Sequence, residues 1–138
     1  MESLEQEVRR RYLDRLDDRW GESEPSLDFG PSALPYFIEA FERETDSARR
    51  ALLVGAICQF REASALPTLA TALDDPSPDV WKEAIDGIVS LAGDQALAIL
   101  KEARAATATK PAEVEKLEWI DEAISQLTQG FYPGREIR

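Results

Sequence analysis

The sequence predicts an all-α array of about three stacked helix pairs preceded by an N-terminal helix. Three observations carry that prediction: apolar residues recur every three to four positions, the chain matches itself at an offset of 32, and Gly and Pro fall at the breaks between periodic stretches.

The first periodic stretch covers residues 2 to 20, where Leu4, Val8, Tyr12, Leu13, Leu16 and Trp20 share one stripe of a helix. Gly21 stands where a C-terminal cap belongs, and the Gly-, Ser- and Pro-rich residues 21–31 are expected to form a linker. Trp20 is expected to close this helix onto the first helix pair. From Ser32 the repetition begins. Ser32-Ala-Leu-Pro35 returns as Ser64-Ala-Leu-Pro67, and at the same offset Ala40 falls on Ala72, Phe41 on Leu73, Ala48 on Val80, Arg50 on Lys82, Leu53 on Ile85 and Gly55 on Gly87.

In the second pair, Leu66, Leu69, Ala70 and Leu73 mark a helix over 65–73, with Pro67 tolerated in the first turn, where no backbone hydrogen bond is lost. Asp74 to Pro78 breaks the chain. A second helix over 79–91 places Val80, Ala84, Ile85, Ile88 and Leu91 on one face, and Gly93-Asp94 is expected to end it and cap the next. The third pair opens with Ala96, Leu97, Ile99, Leu100 and Ala103, followed by an expected long connection over 105–110. Its second helix, 113–127, lays Leu117 to Leu127 over Trp81 to Leu91 at an offset of 36, the four extra residues being assigned to that connection. Gly130 is expected to cap it, and residues 130–138 form a tail whose Phe131 and Tyr132 pack back. The whole chain, 1–138, is expected to be one domain.

No single helix pair can hide its apolar stripe, so neighbours must stack, which predicts a right-handed array with one helix of each pair on a concave inner face. With Val80, Ala84, Ile88 and Leu91 turned inward, the open stripe of that helix holds Lys82, Asp86 and Ser90, flanked by Trp81. The matching positions are Arg50 and Val54 before it and Glu118 and Glu122 after it. Trp81, Lys82, Asp86, Ser90, Arg50, Glu118 and Glu122 are therefore the candidate partner-binding residues. Trp119, between Leu117 and Ile120, is expected to pack in the core or between repeats; for Trp81, interface and core both stand.

Charge narrows the partner. Sixteen Lys and Arg against 27 Asp and Glu give a net charge of −11, which repels phosphate backbones and favours basic protein surfaces. The basic run Arg9-Arg10-Arg11, with Arg15 and Arg19 after it, is interspersed with acids and is expected to be a solvated helix face, so nucleic acid is not an expected partner. No stretch reaches the roughly 20 apolar residues of a membrane span. The acidic start lacks an apolar signal region, so a cytoplasmic location is expected.

Chemistry is narrowed in the same way. The chain has no His and one Cys, which excludes Cys/His metal sites and Ser/His/Asp or Cys/His catalysis. Neither a calcium loop nor a phosphate loop occurs, and no cofactor is expected. Asp17-Asp18, Asp74-Asp75 and Asp121-Glu122 are expected to be solvated carboxylates, and Cys58, between Ile57 and Phe60, a small buried hydrophobe. The expectation is a protein that is not an enzyme.

The segment Asp75-Pro76, Val80, Lys82, Ala84, Ile88 and Leu91 resembles the second half of the short HEAT-like repeats of the phycobilin lyase family and of many bacterial proteins, and Leu34-Pro35 and Leu66-Pro67 resemble their opening helix. Trp81 stands where that family usually has Arg, and Glu83 and Gly87 where it often has Ala. The resemblance covers about residues 32 to 127. It implies a helical solenoid. The absent catalytic apparatus, the large negative charge and the concave face lead instead to an expected protein-binding role, of which the sharper form is an immunity-like protein neutralising a bacterial toxin. The alternatives are an adaptor subunit of a larger complex and, third, a lyase-type enzyme accessory. Some HEAT-like proteins act as DNA glycosylases or help attach bilins, but the first implies a basic DNA-binding face and the second a longer array.

Overall fold

A computed structural model describes residues 2–15 and 29–129. Among these residues there are seven α-helices, short 3-10 turns and no strand. Helix α1 spans Leu4–Arg11 and starts on a reciprocal cap: the Ser3 hydroxyl accepts from the Gln6 N–H at 3.1 Å, and Gln6 Oε1 accepts from the Ser3 N–H at 2.9 Å. The sequence pattern runs on to residue 20, yet the α-helix stops at Arg11. Tyr12 leaves helical geometry and turns its ring into the core, edge-on to Phe29 at 5.5 Å and tilted against Phe37 at 6.2 Å. A 3-10 turn follows at Leu13–Arg15. Trp20, most of the expected linker and the tail with Phe131 and Tyr132 lie outside the described residues.

Three helix pairs follow. The first is α2 (Leu34–Arg43) and α3 (Ser47–Gln59), the second α4 (Leu66–Ala72) and α5 (Pro78–Leu91), the third α6 (Gly93–Thr107) and α7 (Val114–Gln129). The repeated Ser-Ala-Leu-Pro text does the same job twice: a 3-10 turn at Pro31–Ala33 and again at Ala63–Ala65 leads into a helix with Pro in its first turn. Asp46 starts α3 by accepting from the Arg49 N–H at 3.0 Å.

Two boundaries differ from the sequence pattern. Residues 105–107 continue α6 instead of opening a long connection, and Thr107 is buried, so half of the expected connection is helix. Ala and Thr-Ala text of this kind has no breaker in it, so the helix runs on to Thr107, ahead of the turn that leads to Pro111. The α5–α6 junction is also tighter than a Gly stop followed by an Asp cap. Ala92 alone separates the helices, at φ 57°, and Gly93 at φ 90° is already the first residue of α6.

Helices α3, α5 and α7 stack side by side in that order, each backed by the first helix of its own pair. Phe37, Phe41, Leu53, Ile57, Leu69, Val80, Ile88, Leu100 and Ile120 fill one continuous core through all three pairs. Val8 is fully buried, so α1 joins that core at its N-terminal end. The result is an all-α solenoid.

Candidate functional site

The second helices of the pairs meet at two joints, and the candidate residues divide between them. At the first joint, between α3 and α5, two glycines at the same repeat position allow the backbones to approach. A methyl group at Gly87 would overlap Cys58 Sγ and lie 3.1 Å from its Cβ, and one at Gly55 would lie 3.3 Å from Glu83 Oε1. The Cys58 thiol lies 3.8 Å from the Glu83 carbonyl oxygen, to which it donates. Burial first, and then the neighbouring carboxylates Glu83 and Asp86, push this thiol up to about 12, which keeps it protonated and unreactive.

Arg50 locks the same joint. Its Nε donates to Asp75 Oδ1 at 2.9 Å, and its Nη1 donates to the carbonyls of Phe41 at 3.0 Å and Glu44 at 2.8 Å. The guanidinium also lies 4.1 Å from the centre of the Phe41 ring. One side chain thereby satisfies the orphaned carbonyls at the end of α2 and ties the first pair to the second. Asp75 accepts in turn from the Ser77 N–H at 3.0 Å, shaping the turn before α5. Val54, expected on the open stripe, is fully buried, because α3 is covered on one side by α2 and on the other by α5.

The second joint, between α5 and α7, is built from aromatic rings and an exposed ion pair. Trp81 is 6% exposed and meets Trp119 edge-on at 6.2 Å. Lys82, which stands at the repeat position of Arg50, likewise reaches the next pair: its Nζ lies 3.0 Å from Glu115 Oε2, 5.1 Å from the Trp119 ring centre and 5.7 Å from that of Trp81. Lys116, 8% exposed, lies with its ammonium 5.9 Å from the Trp81 ring. Trp81 is thus core at this joint, and Arg50 and Lys82 are the two ties between repeats.

Beside the Trp pair the two helices part to leave an open groove of about 430 Å³, lined by Ile85, Asp86, Val89, Glu118, Trp119, Glu122, Ala123 and Gln126. Its floor is apolar and its rim carries three carboxylates. Asp86, Glu118 and Glu122 are exposed and form no ion pair among the described residues; Glu122 receives only a long hydrogen bond from Gln126 Nε2 at 3.5 Å. Partial burial raises the Asp86 carboxyl above its ordinary value, and burial followed by the charges of Asp86 and Asp79 does the same for Glu83. Ser90 is exposed on α5 but does not line the groove. Three of the sequence candidates are therefore brought together here, Asp86, Glu118 and Glu122. The residue that joins them without having been placed on the open face is Trp119, half-buried with Glu118 before it and Glu122 one turn on. Helical spacing alone could have put that ring between two exposed acids.

Among the described residues no group of three or more Cys, Asp or Glu is arranged to hold a metal ion, and no helix is long and apolar enough to cross a membrane. No curated protein and no solved structure matches the chain. The family model for HEAT repeats does match, over residues 34–115, from the start of α2 to the first turn of α7. That stretch is more than half of the chain and contains the α3–α5 joint, so this protein belongs to the HEAT-repeat family.

Proposed function

We propose that this chain works as HEAT repeats in general do, as a non-catalytic protein-interaction module, and that it binds a protein with a basic surface through the face formed by α5 and α7. The observation that carries the proposal is the trio of exposed carboxylates, Asp86, Glu118 and Glu122, held around Trp119 with no basic partner of their own among the described residues. Like charges gathered on a rigid face cost free energy in the unbound chain, and a cationic partner removes that cost while the field speeds its approach.

The sharper form of the proposal is immunity: the partner is a basic bacterial toxin, such as a nuclease, which the acidic face occludes. Coexpression with a toxin gene, should one lie beside this protein's own, tests it. Rescue of growth together with a stable complex is expected; unrelieved toxicity removes the immunity form. A complex that persists at fixed stoichiometry with enzyme subunits, with no toxin involved, would instead make the chain an adaptor.

A further inference from the structure

The groove beside Trp119 has a more particular shape than an acidic face requires. Its apolar floor is the half-buried Val89 of α5, with the nearly buried Ile85 of α5 and Ala123 of α7 beneath it. Glu118 and Glu122 stand one turn apart on one wall and Asp86 stands on the other. The ring that touches Trp81 and Lys82 also lines the space between these walls. Each part has a distinct chemical preference. An apolar floor takes aliphatic side chains. An indole face takes a cation, and prefers a planar guanidinium, which can stack on it while its edge N–H groups reach carboxylates. Two carboxylates spaced i, i+4 match cationic side chains at the same spacing on a helix laid against them.

The geometry points to one occupant: a basic amphipathic helix of the partner protein, seated over the α5–α7 groove with leucine-like side chains on Ile85, Val89 and Ala123 and an arginine guanidinium on Trp119 between Asp86 and the Glu118/Glu122 wall. This inference deepens the binding-module reading and rests on it. Charge complementarity selects the occupant. A phosphate-bearing ligand or an anionic membrane would meet three carboxylates, and a second copy of this chain carries the same net charge of −11. A wholly apolar helix would strip water from those carboxylates and return nothing to them.

The test uses the full chain and a synthetic helical peptide of alternating Leu and Arg heptad positions, with Lys-for-Arg and Glu-for-Arg versions and free spermine as separate arms. Binding is read from Trp emission and from amide NMR shifts. The Arg peptide is expected to move the amides of α5 and α7 and the Trp119 indole N–H, to bind more tightly than the Lys peptide, and to weaken as salt is raised. Because Trp119→Ala could disturb the joint, the deciding variant is Glu118→Lys/Glu122→Lys on exposed positions, expected to lose at least about tenfold in affinity at an unchanged melting temperature. The inference is overturned by no shift at α5 and α7 at roughly 1 mM peptide, by equal binding of the doubly reversed variant, or by spermine producing the same shifts at the same concentration. A native partner that binds the doubly reversed variant at full strength would remove the groove and leave the module reading intact. A chain with no protein partner loses both.

Discussion

The two joints of this solenoid occupy equivalent positions in the repeat and are built in opposite ways. Between α3 and α5 the side chains at the crossing are removed, Gly55 and Gly87, and the tie between pairs is a guanidinium with three acceptors, largely shielded from water. Between α5 and α7 two Trp rings meet at other repeat positions, and the tie is a Lys–Glu pair open to solvent. Close backbone approach leaves no room for a ligand; bulky rings hold the helices apart and leave a groove on one side of themselves. In a repeat protein each interface contributes separately to stability, so one joint can be tight while the other stays open.

Substitutions break this contrast in graded fashion. Trp81→Ala is expected to have the largest effect, about 3–5 kcal/mol of lost stability in a denaturant titration, because a buried ring is deleted at the wider joint. Trp119→Ala, half-buried, should lose about 1–2 kcal/mol while weakening partner binding more than Trp81→Ala does in whatever fraction remains folded. Equal stability losses would mean that the groove is as closed as the core.

The tight joint is probed by Gly87→Ala. The added methyl group collides with Cys58, and overpacking of this kind should lower stability by about 1–3 kcal/mol. Adding Cys58→Ala should return part of that loss, since the sulfur is the nearer obstacle, and a double-mutant cycle measures how much. Strictly additive losses would show that the two residues are not in contact. Arg50→Ala should cost about 1–3 kcal/mol, because it leaves two carbonyls and the shielded Asp75 without their donor. Lys82→Ala at the equivalent position should cost less than about 1 kcal/mol, as exposed pairs do.

The sequence made the solenoid legible because burial periodicity and repetition are one-dimensional signals: Ser32-Ala-Leu-Pro35 and Ser64-Ala-Leu-Pro67 announce the same turn-to-helix start, and Gly55 and Gly87 the same close crossing. What it could not show was which direction a polar side chain takes once a neighbour is in place. Arg50 and Lys82 lie on the side of their helices that periodicity leaves open, but long side chains reach sideways, and a carbonyl cluster or a glutamate on the next pair draws them there. Trp119 is the converse case. Its apolar neighbours Leu117 and Ile120 suggest burial, and only the spacing forced by a second Trp across the joint leaves part of its ring beside a groove. The end of α6 is not legible in the sequence because alanine-rich text has no stop in it.

The smallest expected effect separates the joints by pH. Glu83 and Asp86 hold protons more strongly in the folded chain than at their ordinary values of 4.5 and 3.8, chiefly through burial, with Asp86 and Asp79 adding repulsion at Glu83. A carboxyl raised in the folded state contributes stability that is complete below its unfolded value and lost as pH climbs through its folded one. Thermal melts of the native chain should therefore show a modest gain as acidification protonates these two carboxyls, a gain complete only below their ordinary values. Glu2 works in the other direction, since its hydrogen bond from Arg10 lowers it, but that pair is on the surface at α1 and screened. Glu83→Gln should flatten the gain, because the side chain that faces Gly55 no longer titrates; an undiminished slope would assign the effect to other groups. Binding should respond with the opposite sign. Protonating Asp86 removes one of the three charges around Trp119, so the same acidification that steadies the α3–α5 joint weakens the hold of the α5–α7 groove on a cationic partner.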